Sequence, residues 1–495
     1  MRTLIGSAVA ALMLVSSTQA ADDPRQVKAR PVIQKAIAYL KSQQDKETGG
    51  WAVPKQGPAY PAITALVLNG MLLEKGITIE DEAVKRGVEF VLKYRQPDGG
   101  IYDKMLPSYN TAIVLSMLSR VNTPEAKAAI KPAQDFLKSL QFGDGAMVDG
   151  QFAMETGRVG KEHPFYGGIG YGRSGRPDNS NLNFFMQAMS DSGLSEEDPA
   201  VQRALVFLRR TQMLGATNDL AFAKESTQGG FIYANASSKD SAGQGQSYGG
   251  EIAESLSGPP GAVAQVVLEP GPDGKARSLK RDEATIRVRA ALGASADAQI
   301  KAAADVAMIL VGPGSGDASD RFEVRTPIKA ADALKAVLTK AFEEGGKPAA
   351  TITASIAPAW QGVSRLRAYG SMTYAGFKSY VYAKLPRNDE RVAAVYEWVR
   401  RNYTLQENPG AGTDGLYYYF VTFARALDAW GEPMIEVIHA DGSKESRDWA
   451  MDLIERLASL QNADGSFKIV DDRWMENNPV LITAYALVAL EHAAK

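Results

Sequence analysis

The chain is 495 residues long, contains no cysteine, and carries 55 basic against 57 acidic side chains for a net charge of −2. The missing cysteines exclude disulfides and thiolate metal sites. A near-neutral chain with no basic run has no electrostatic hold on nucleic acid or on an anionic membrane surface.

Residues 1–20 read as a signal peptide: Arg2 gives a positive start, Leu4 to Val15 a short apolar run, and Thr18-Gln19-Ala20 a small-residue cleavage site. The expectation is export, to the periplasm or beyond, with cleavage near Ala20. No later stretch reaches the ~20 uninterrupted apolar residues of a membrane span, so no membrane span is expected.

From residue 31 the chain repeats itself with a period of roughly 50 residues. Each copy runs from an amphipathic helix through a Gly-containing turn into a more apolar helix. The first helices are expected at Val32–Ser42, Ala83–Arg95, Ile130–Leu140, Val201–Gln212, Val392–Tyr403 and Trp449–Gln461. In the first copy Ile33, Ile37 and Leu40 share one face, the pattern of a surface helix. The turns read Gly49-Gly50-Trp51, preceded by Gln43, then Gly99-Gly100-Ile101, Gly143-Asp144-Gly145, Gly229-Gly230-Phe231, Asp414-Gly415-Leu416 and Asp464-Gly465-Ser466-Phe467. Glycine permits the positive φ of a helix end, and the apolar residue after it is expected to plug the core. The second helices, Ala62–Leu73, Asn110–Leu118, Leu182–Met189, Met372–Leu385, Tyr417–Trp430 and Pro479–Glu491, are apolar on nearly all sides, which makes them buried on all sides. A lone hairpin cannot bury its apolar face, so the copies stack. The fold class is all-α, an (α/α)6 toroid of six hairpins; an open superhelix is the competing closure.

Residues 257–361 break the pattern. Pro259-Pro260, Pro270-Gly271-Pro272 and Gly312-Pro313-Gly314 punctuate short β-like runs at Ala262–Leu268, Ala284–Ala290, Val306–Val311, Phe322–Arg325 and Ala350–Ile356, with one helix at Ala330–Phe342. This is expected to be a small α+β domain inserted between the fourth outer helix and its partner, dividing the toroid into residues 31–256 and 362–495. The flank Ser238–Glu254 is rich in Gly and Ser and reads as a flexible linker.

The Gln…Gly-Gly-Trp/Phe turns resemble those of the prenyltransferase and squalene-cyclase repeat superfamily. Gly167-Gly168-Ile169-Gly170-Tyr171-Gly172, Arg176-Pro177-Asp178-Asn179-Ser180-Asn181, Tyr369-Gly370-Ser371-Met372-Thr373-Tyr374-Ala375-Gly376, Asn408-Pro409-Gly410, Gly415-Leu416-Tyr417-Tyr418-Tyr419, Asp472-Arg473-Trp474 and Asn478-Pro479 resemble an exported bacterial branch of it, the prenyltransferase/squalene-oxidase repeat proteins. The resemblance covers residues 31–256 and 362–495 and implies a terpenoid cyclase-like fold, not a reaction. The Asp-x-Asp-Asp acid of the cyclases is absent: Asp471-Asp472 before Arg473 lacks the spaced first member. Asp-Asp-x-x-Asp magnesium motifs fail at Gln26 and Met475, and the Asp, Cys and His zinc set of protein prenyltransferases has no Cys. No cofactor and no metal are expected, since His163, His439 and His492 fall in different repeats without paired spacing.

In a closed toroid the second helices begin on one rim of the axis, where their partial positive charge favours an acid or an anion. Asp178 and Glu476 are the candidate catalytic carboxyls there, although Asp178 also reads as an ordinary helix cap. Tyr109, Asn110, Tyr171, Asn181, Tyr374, Tyr417, Tyr418, Trp474 and Asn477 are candidate rim-binding residues. Tyr and Trp offer an apolar face with a polar tip, suiting a ligand pocket and a sealed hairpin end alike. Three functions follow as expectations: a binding or scaffolding toroid with residues 257–361 reaching a protein partner, an enzyme or carrier for an isoprenoid-like apolar ligand in the axis, and a polysaccharide lyase or hydrolase holding a carbohydrate.

Overall fold

The computed structural model describes residues 23–52, 59–143, 159–172, 176–224, 226–235, 262–268, 287–288, 290–302, 321–326, 331–344, 347–348, 350–356, 368–439 and 441–495. The expected signal peptide, the Ser238–Glu254 linker, the Val306–Val311 run and Asp144-Gly145 lie outside the described residues.

The helices appear in chain order as α1 (Pro24–Ser42), α2 (Pro61–Met71), α3 (Glu82–Leu92), α4 (Pro107–Leu118), α5 (Pro124–Ser139), α6 (Asn179–Asp191) and α7 (Pro199–Thr211). After the insertion, which holds α8 (Ala298–Ala302) and α9 (Ala331–Ala341), come α10 (Gly370–Tyr382), α11 (Glu390–Arg401), α12 (Leu416–Trp430), α13 (Trp449–Leu460) and α14 (Pro479–Ala493). Outer helices start on acidic or Thr caps: Asp81 accepts from the Ala83 and Val84 amides, and Thr123, Asp198, Asp389 and Asp448 serve likewise. Pro61, Pro107 and Pro479 open three inner helices, where the missing N–H has no cost.

The inner helices pack in a closed cycle: α2 on α4, α4 on α6, α6 on α10, α10 on α12, α12 on α14, and α14 back on α2. Each outer helix leans on the preceding inner one, α3 on α2, α5 on α4, α7 on α6, α11 on α10 and α13 on α12. Helix α1 completes the circuit against α14 and α13. The ring is therefore shut, not an open superhelix.

The repeated turn works through one side chain. Gln44 Nε2 donates to the Gly49 carbonyl and to the Ala83 carbonyl of the next outer helix, both at 2.8 Å. Gln141 repeats this to Gly167 and Ala200, Gln212 to Gly229 and Arg391, and Gln461 to Gly465 and Val32. Two expectations are corrected here. The clamp of the first copy is Gln44, while Gln43 donates to Ser42 Oγ. The third turn is not at Gly143 but at Gly167-Gly168, where Gly167 has φ +86° and an added Cβ would lie 1.7 Å from the Arg203 carbonyl oxygen. Its Gln141 partner is 26 residues upstream, so a long excursion hides the repeat. The apolar plugs Trp51, Ile101 and Phe231 are buried, and their backbone amides donate to Thr64, Thr111 and Thr373 of the inner helices at 2.9–3.0 Å.

Between α7 and α10 the chain forms β1 (Ala262–Leu268), β2 (Arg321–Thr326), β3 (Glu343–Glu344), β4 (Lys347–Pro348) and β5 (Ala350–Ile356). β1 pairs antiparallel with both β2 and β5, giving the order β2-β1-β5, and α9 packs on β5 and β1. The strand expected at Ala284–Ala290 is corrected: Arg287, Val288 and Ala290 are helical. The four-residue alternation was outweighed by the alanines that follow, strong helix formers. A further hairpin, β6 (Ile435–Ile438) with β7 (Lys444–Arg447), packs on α11 and was not anticipated. Its signal was present in the Ile435-Glu436-Val437 alternation before Asp441-Gly442. No helix of the described residues is long and apolar enough to cross a membrane.

Candidate functional site

The inner helices are parallel, so their N-termini make one mouth of the ring and their C-termini the other. At the N-terminal mouth the backbone amides are already engaged. Asn110 Oδ1 accepts from the Ala62 amide of α2 at 3.1 Å, and Asn408 Oδ1 from the Ser371 amide of α10 at 2.8 Å. Glu476 accepts from the Tyr417 and Tyr418 amides of α12 at 3.1 and 2.9 Å. Helix α12 has Gly415, without a side chain, at its own cap, so the following repeat supplies the acceptor. Burial, opposed by those two bonds and aided by Asp471 and Asp414, pushes Glu476 up to about 8.

Asp178 caps its own helix. Its Oδ1 accepts from the Asn181 amide at 2.8 Å and its Oδ2 from Asn181 Nδ2 at 2.9 Å, while Asn181 Oδ1 receives Ser108 Oγ at 3.3 Å. The Tyr233 hydroxyl also bonds Asp178, and Tyr233 meets the Tyr171 hydroxyl at 2.8 Å. Burial pushes Asp178 up to about 6 and, with the Asp178 charge, Tyr171 up to about 12. Tyr171 is 39% exposed, so this chain of hydroxyls leads from a buried carboxyl to the surface.

Tyr171 stacks on Tyr109 at 6.0 Å, and Tyr109 meets Phe184 edge-on at 4.6 Å. Phe184 lies 6.1 Å from Tyr418, and Tyr418 lies 6.0 Å from Tyr485. Asn183 Nδ2 donates to the Tyr418 hydroxyl at 3.1 Å. Tyr418 stands on α12 and its partners on α6, two helices that are not neighbours, so these side chains meet across the axis. Tyr109 likewise hydrogen-bonds Tyr485 from α4 to α14. Tyr233, Phe184 and Tyr485 were not singled out from the sequence. Tyr485 sits mid-helix in an apolar segment, and only the ring geometry turns it inward.

The remaining candidate residues stand elsewhere. Tyr374 is buried in the wall, its ring 5.6 Å from Tyr419 and 5.0 Å from Phe423. Tyr417 donates to the Lys468 carbonyl at 2.6 Å and packs edge-on against Phe420 and Phe467, sealing a hairpin seam. Trp474 is 43% exposed and lies against Arg473 and Gly415. Asn110 also donates to the Met105 and Leu106 carbonyls, which ties the start of α4 to α2. Asn477 is exposed.

The histidines lie apart: His163 accepts from the Phe165 amide, His439 pairs with Glu445, and His492 with Asp428. Among the described residues no group of side chains is arranged to hold a metal ion. A cleft of about 590 Å³ opens on the outer face between α11, β6–β7 and α13. Its charges answer one another: Arg447 pairs with Asp452, which also accepts from Tyr403, and Arg456 donates to the Leu405 carbonyl.

No family profile and no curated protein matches the chain. Among solved structures it is similar to a variant of the type II terpene cyclase MstE from Scytonema in complex with geranylgeranyl dihydroxybenzoate, with 13% identity, 95% of this chain and 98% of that chain covered, and a TM-score of 0.33. It is similar also to a protein from Actinoplanes, with 13% identity, 94% and 100% coverage and a TM-score of 0.29. A second MstE variant matches at 10% identity, with 95% and 99% coverage and a TM-score of 0.27. At such scores the fold of this chain rests on its own closed cycle of helix contacts.

Proposed function

We propose that this protein is an exported ligand-binding or scaffolding toroid whose ligand sits on the tyrosine mouth and not inside the axis. The observation that carries the reading is the meeting of Tyr418 with Phe184 and Asn183 across the ring. An isoprenoid-like chain would have to displace these side chains to enter. The half-exposed Tyr171 and Tyr109 rings beside the Ser180, Asn183 and Tyr233 polar tips suit a polyhydroxylated ligand, which stacks on aromatic faces and exchanges hydrogen bonds. Export rests on Arg2, the Leu4 to Val15 run and Thr18-Gln19-Ala20. Residues 257–361 are proposed to reach a protein partner; among the described residues the order β2-β1-β5 leaves the outer edges of β2 and β5 unpaired.

A second reading is supported by the chain Asp178–Tyr233–Tyr171. A carboxyl with an ordinary value raised to about 6, linked through hydroxyls to an exposed tyrosine, is an acid–base arrangement of the kind a polysaccharide lyase needs. One experiment separates the three expectations: thermal unfolding of the full chain with oligosaccharide and isoprenoid panels, paired with native mass spectrometry. An oligosaccharide that stabilises the protein without being cleaved, and fails with Tyr171→Ala, supports the binding reading. Cleavage lost in Asp178→Asn supports the lyase. A co-purifying isoprenoid overturns both.

A further inference from the structure

The opposite mouth holds a group of buried charges that the tyrosine site does not use. Lys378 on α10 and Arg425 on α12 lie inside largely apolar helices and are 1% and 4% exposed. Lys378 Nζ donates to Gln187 Oε1 at 2.8 Å, the Tyr382 hydroxyl to the same oxygen at 3.2 Å, and Gln187 Nε2 to Asp191 Oδ1 at 3.0 Å. Arg120, just past α4, brings its guanidinium to 3.6 Å from Asp191. Arg425 has a buried Nε without any partner, and the Arg120 Nε and the Asp191 Oδ2 are in the same state. A buried guanidinium nitrogen left unbonded is costly unless something fills the site.

Charge sets the identity of what would fill it. Two guanidiniums, Arg425 and Arg120, and the Lys378 amine, which burial and Arg425 hold well below its usual value, face the carboxylate Asp191. The nearby Asp428 is taken by His492 at 2.6 Å and Lys495 at 2.5 Å. An anion entering the site restores the Lys378 charge, and three cations against one carboxylate then match a dianion. Neutralising the converging helix C-termini is the competing role for such cations, yet Lys378 donates to a side chain and the Arg425 Nε to nothing among the described residues. The free Asp191 oxygen asks in addition for a donor. Monohydrogen phosphate and phosphate monoesters offer both the double charge and, for the former, the O–H; sulfate offers the charge alone.

We propose that the C-terminal mouth of the ring binds a phosphate group, held by Lys378, Arg425 and Arg120 and oriented by Asp191. The site lies at the other end of the inner helices and does not rest on the reading of the tyrosine mouth.

The test is thermal unfolding of the full chain at constant ionic strength, with inorganic phosphate, sulfate or chloride alone. Phosphate raises the midpoint saturably and more than sulfate does. Arg425→Met weakens phosphate binding roughly thirty-fold or more, while the variant in phosphate-free buffer is no less stable than the parent because an unpartnered charge is gone. Should Arg425→Met fail to fold, Asp191→Asn keeps both buried cations and brings sulfate level with phosphate. Flotation with phosphatidic acid vesicles, lost in Arg425→Met, assigns the phosphate to a lipid headgroup; a phosphate shift without flotation assigns it to a soluble ion, and either supports the site. A midpoint that phosphate moves no further than chloride overturns the proposal, as does an equal shift in parent, Arg425→Met and Lys378→Met.

Discussion

Gln461 Nε2 donates to the Val32 carbonyl at 2.8 Å across 429 residues of sequence. The same amide clamps adjacent repeats at Gln44, Gln141 and Gln212, so the last turn grips the first helix by the device three other junctions use. Beside it Arg25 reaches Asp448 at 3.0 Å. Gln461→Ala leaves two carbonyls without their donor, and the expected loss is about 1–3 kcal/mol. Chemical denaturation reads it as a lowered midpoint, and hydrogen exchange localises it to α1. An unchanged midpoint with unchanged exchange in α1 would mean that the closure is not carried by this amide.

Gly465 sharpens the same point. It has φ +92°, and a Cβ built on it would lie 2.2 Å from the Lys35 carbonyl oxygen. Gly442 in the β6–β7 turn has a similar φ, +82°, but nothing within 4 Å. Both glycines avoid the ~1–2 kcal/mol strain of a left-handed L residue; only Gly465 also avoids a clash with backbone. Gly442→Ala is therefore expected to cost about 1 kcal/mol, and Gly465→Ala distinctly more. Equal melting points for the two variants would remove the close approach as the reason for the glycine.

The architecture was legible because Gly-Gly turns and apolar second helices recur at fixed spacing, and both are dictated by the packing. What the sequence hid has physical causes. The third turn was obscured by the excursion between Gln141 and Gly167. Among the tyrosines, a run such as Tyr417-Tyr418-Tyr419 points three ways on a helix; Tyr418 meets the axis while Tyr417 and Tyr419 bond the Lys468 and Thr404 carbonyls. The buried Lys378 and Arg425 left only a faint mark: Lys378 is the one charge of its helix, and Arg425 shares an otherwise apolar helix with Asp428.

Glu476 makes stability fall as pH rises. Its ordinary value of 4.5 is raised to about 8 by burial in the folded protein. Between those values the native state binds more protons than the unfolded chain, and the slope of stability against pH is negative. Asp414, raised to about 7, acts in the same sense. Near pH 5 the protonated carboxyl can still accept on its hydroxyl oxygen with the hydrogen turned away, whereas the amide nitrogen of Glu476→Gln cannot accept, so the variant is less stable than the parent there. It lacks the titration, so the gap closes toward pH 8, over a range worth a few kcal/mol. Melting curves from pH 5 to 8 check this; parallel parent and variant profiles would contradict it.

Tyr171 and Tyr374 separate the mouth from the wall. Tyr171 is 39% exposed and rests one face on Tyr109, whereas Tyr374 is fully buried against Tyr419 and Phe423. Truncating a ring that is 39% exposed removes less buried area than truncating a core ring, so Tyr171→Ala is expected to cost about 1–2 kcal/mol. Tyr374→Ala empties a packed site and is expected to cost about 3–5 kcal/mol, as large aromatic truncations in cores do. If the mouth is the binding surface, ligand affinity follows the opposite order: Tyr171→Ala loses the stabilisation by oligosaccharide, and Tyr374→Phe keeps it. Retained binding in Tyr171→Ala would move the ligand away from the tyrosine mouth, leaving the outer cleft between α11 and α13 as the place to search.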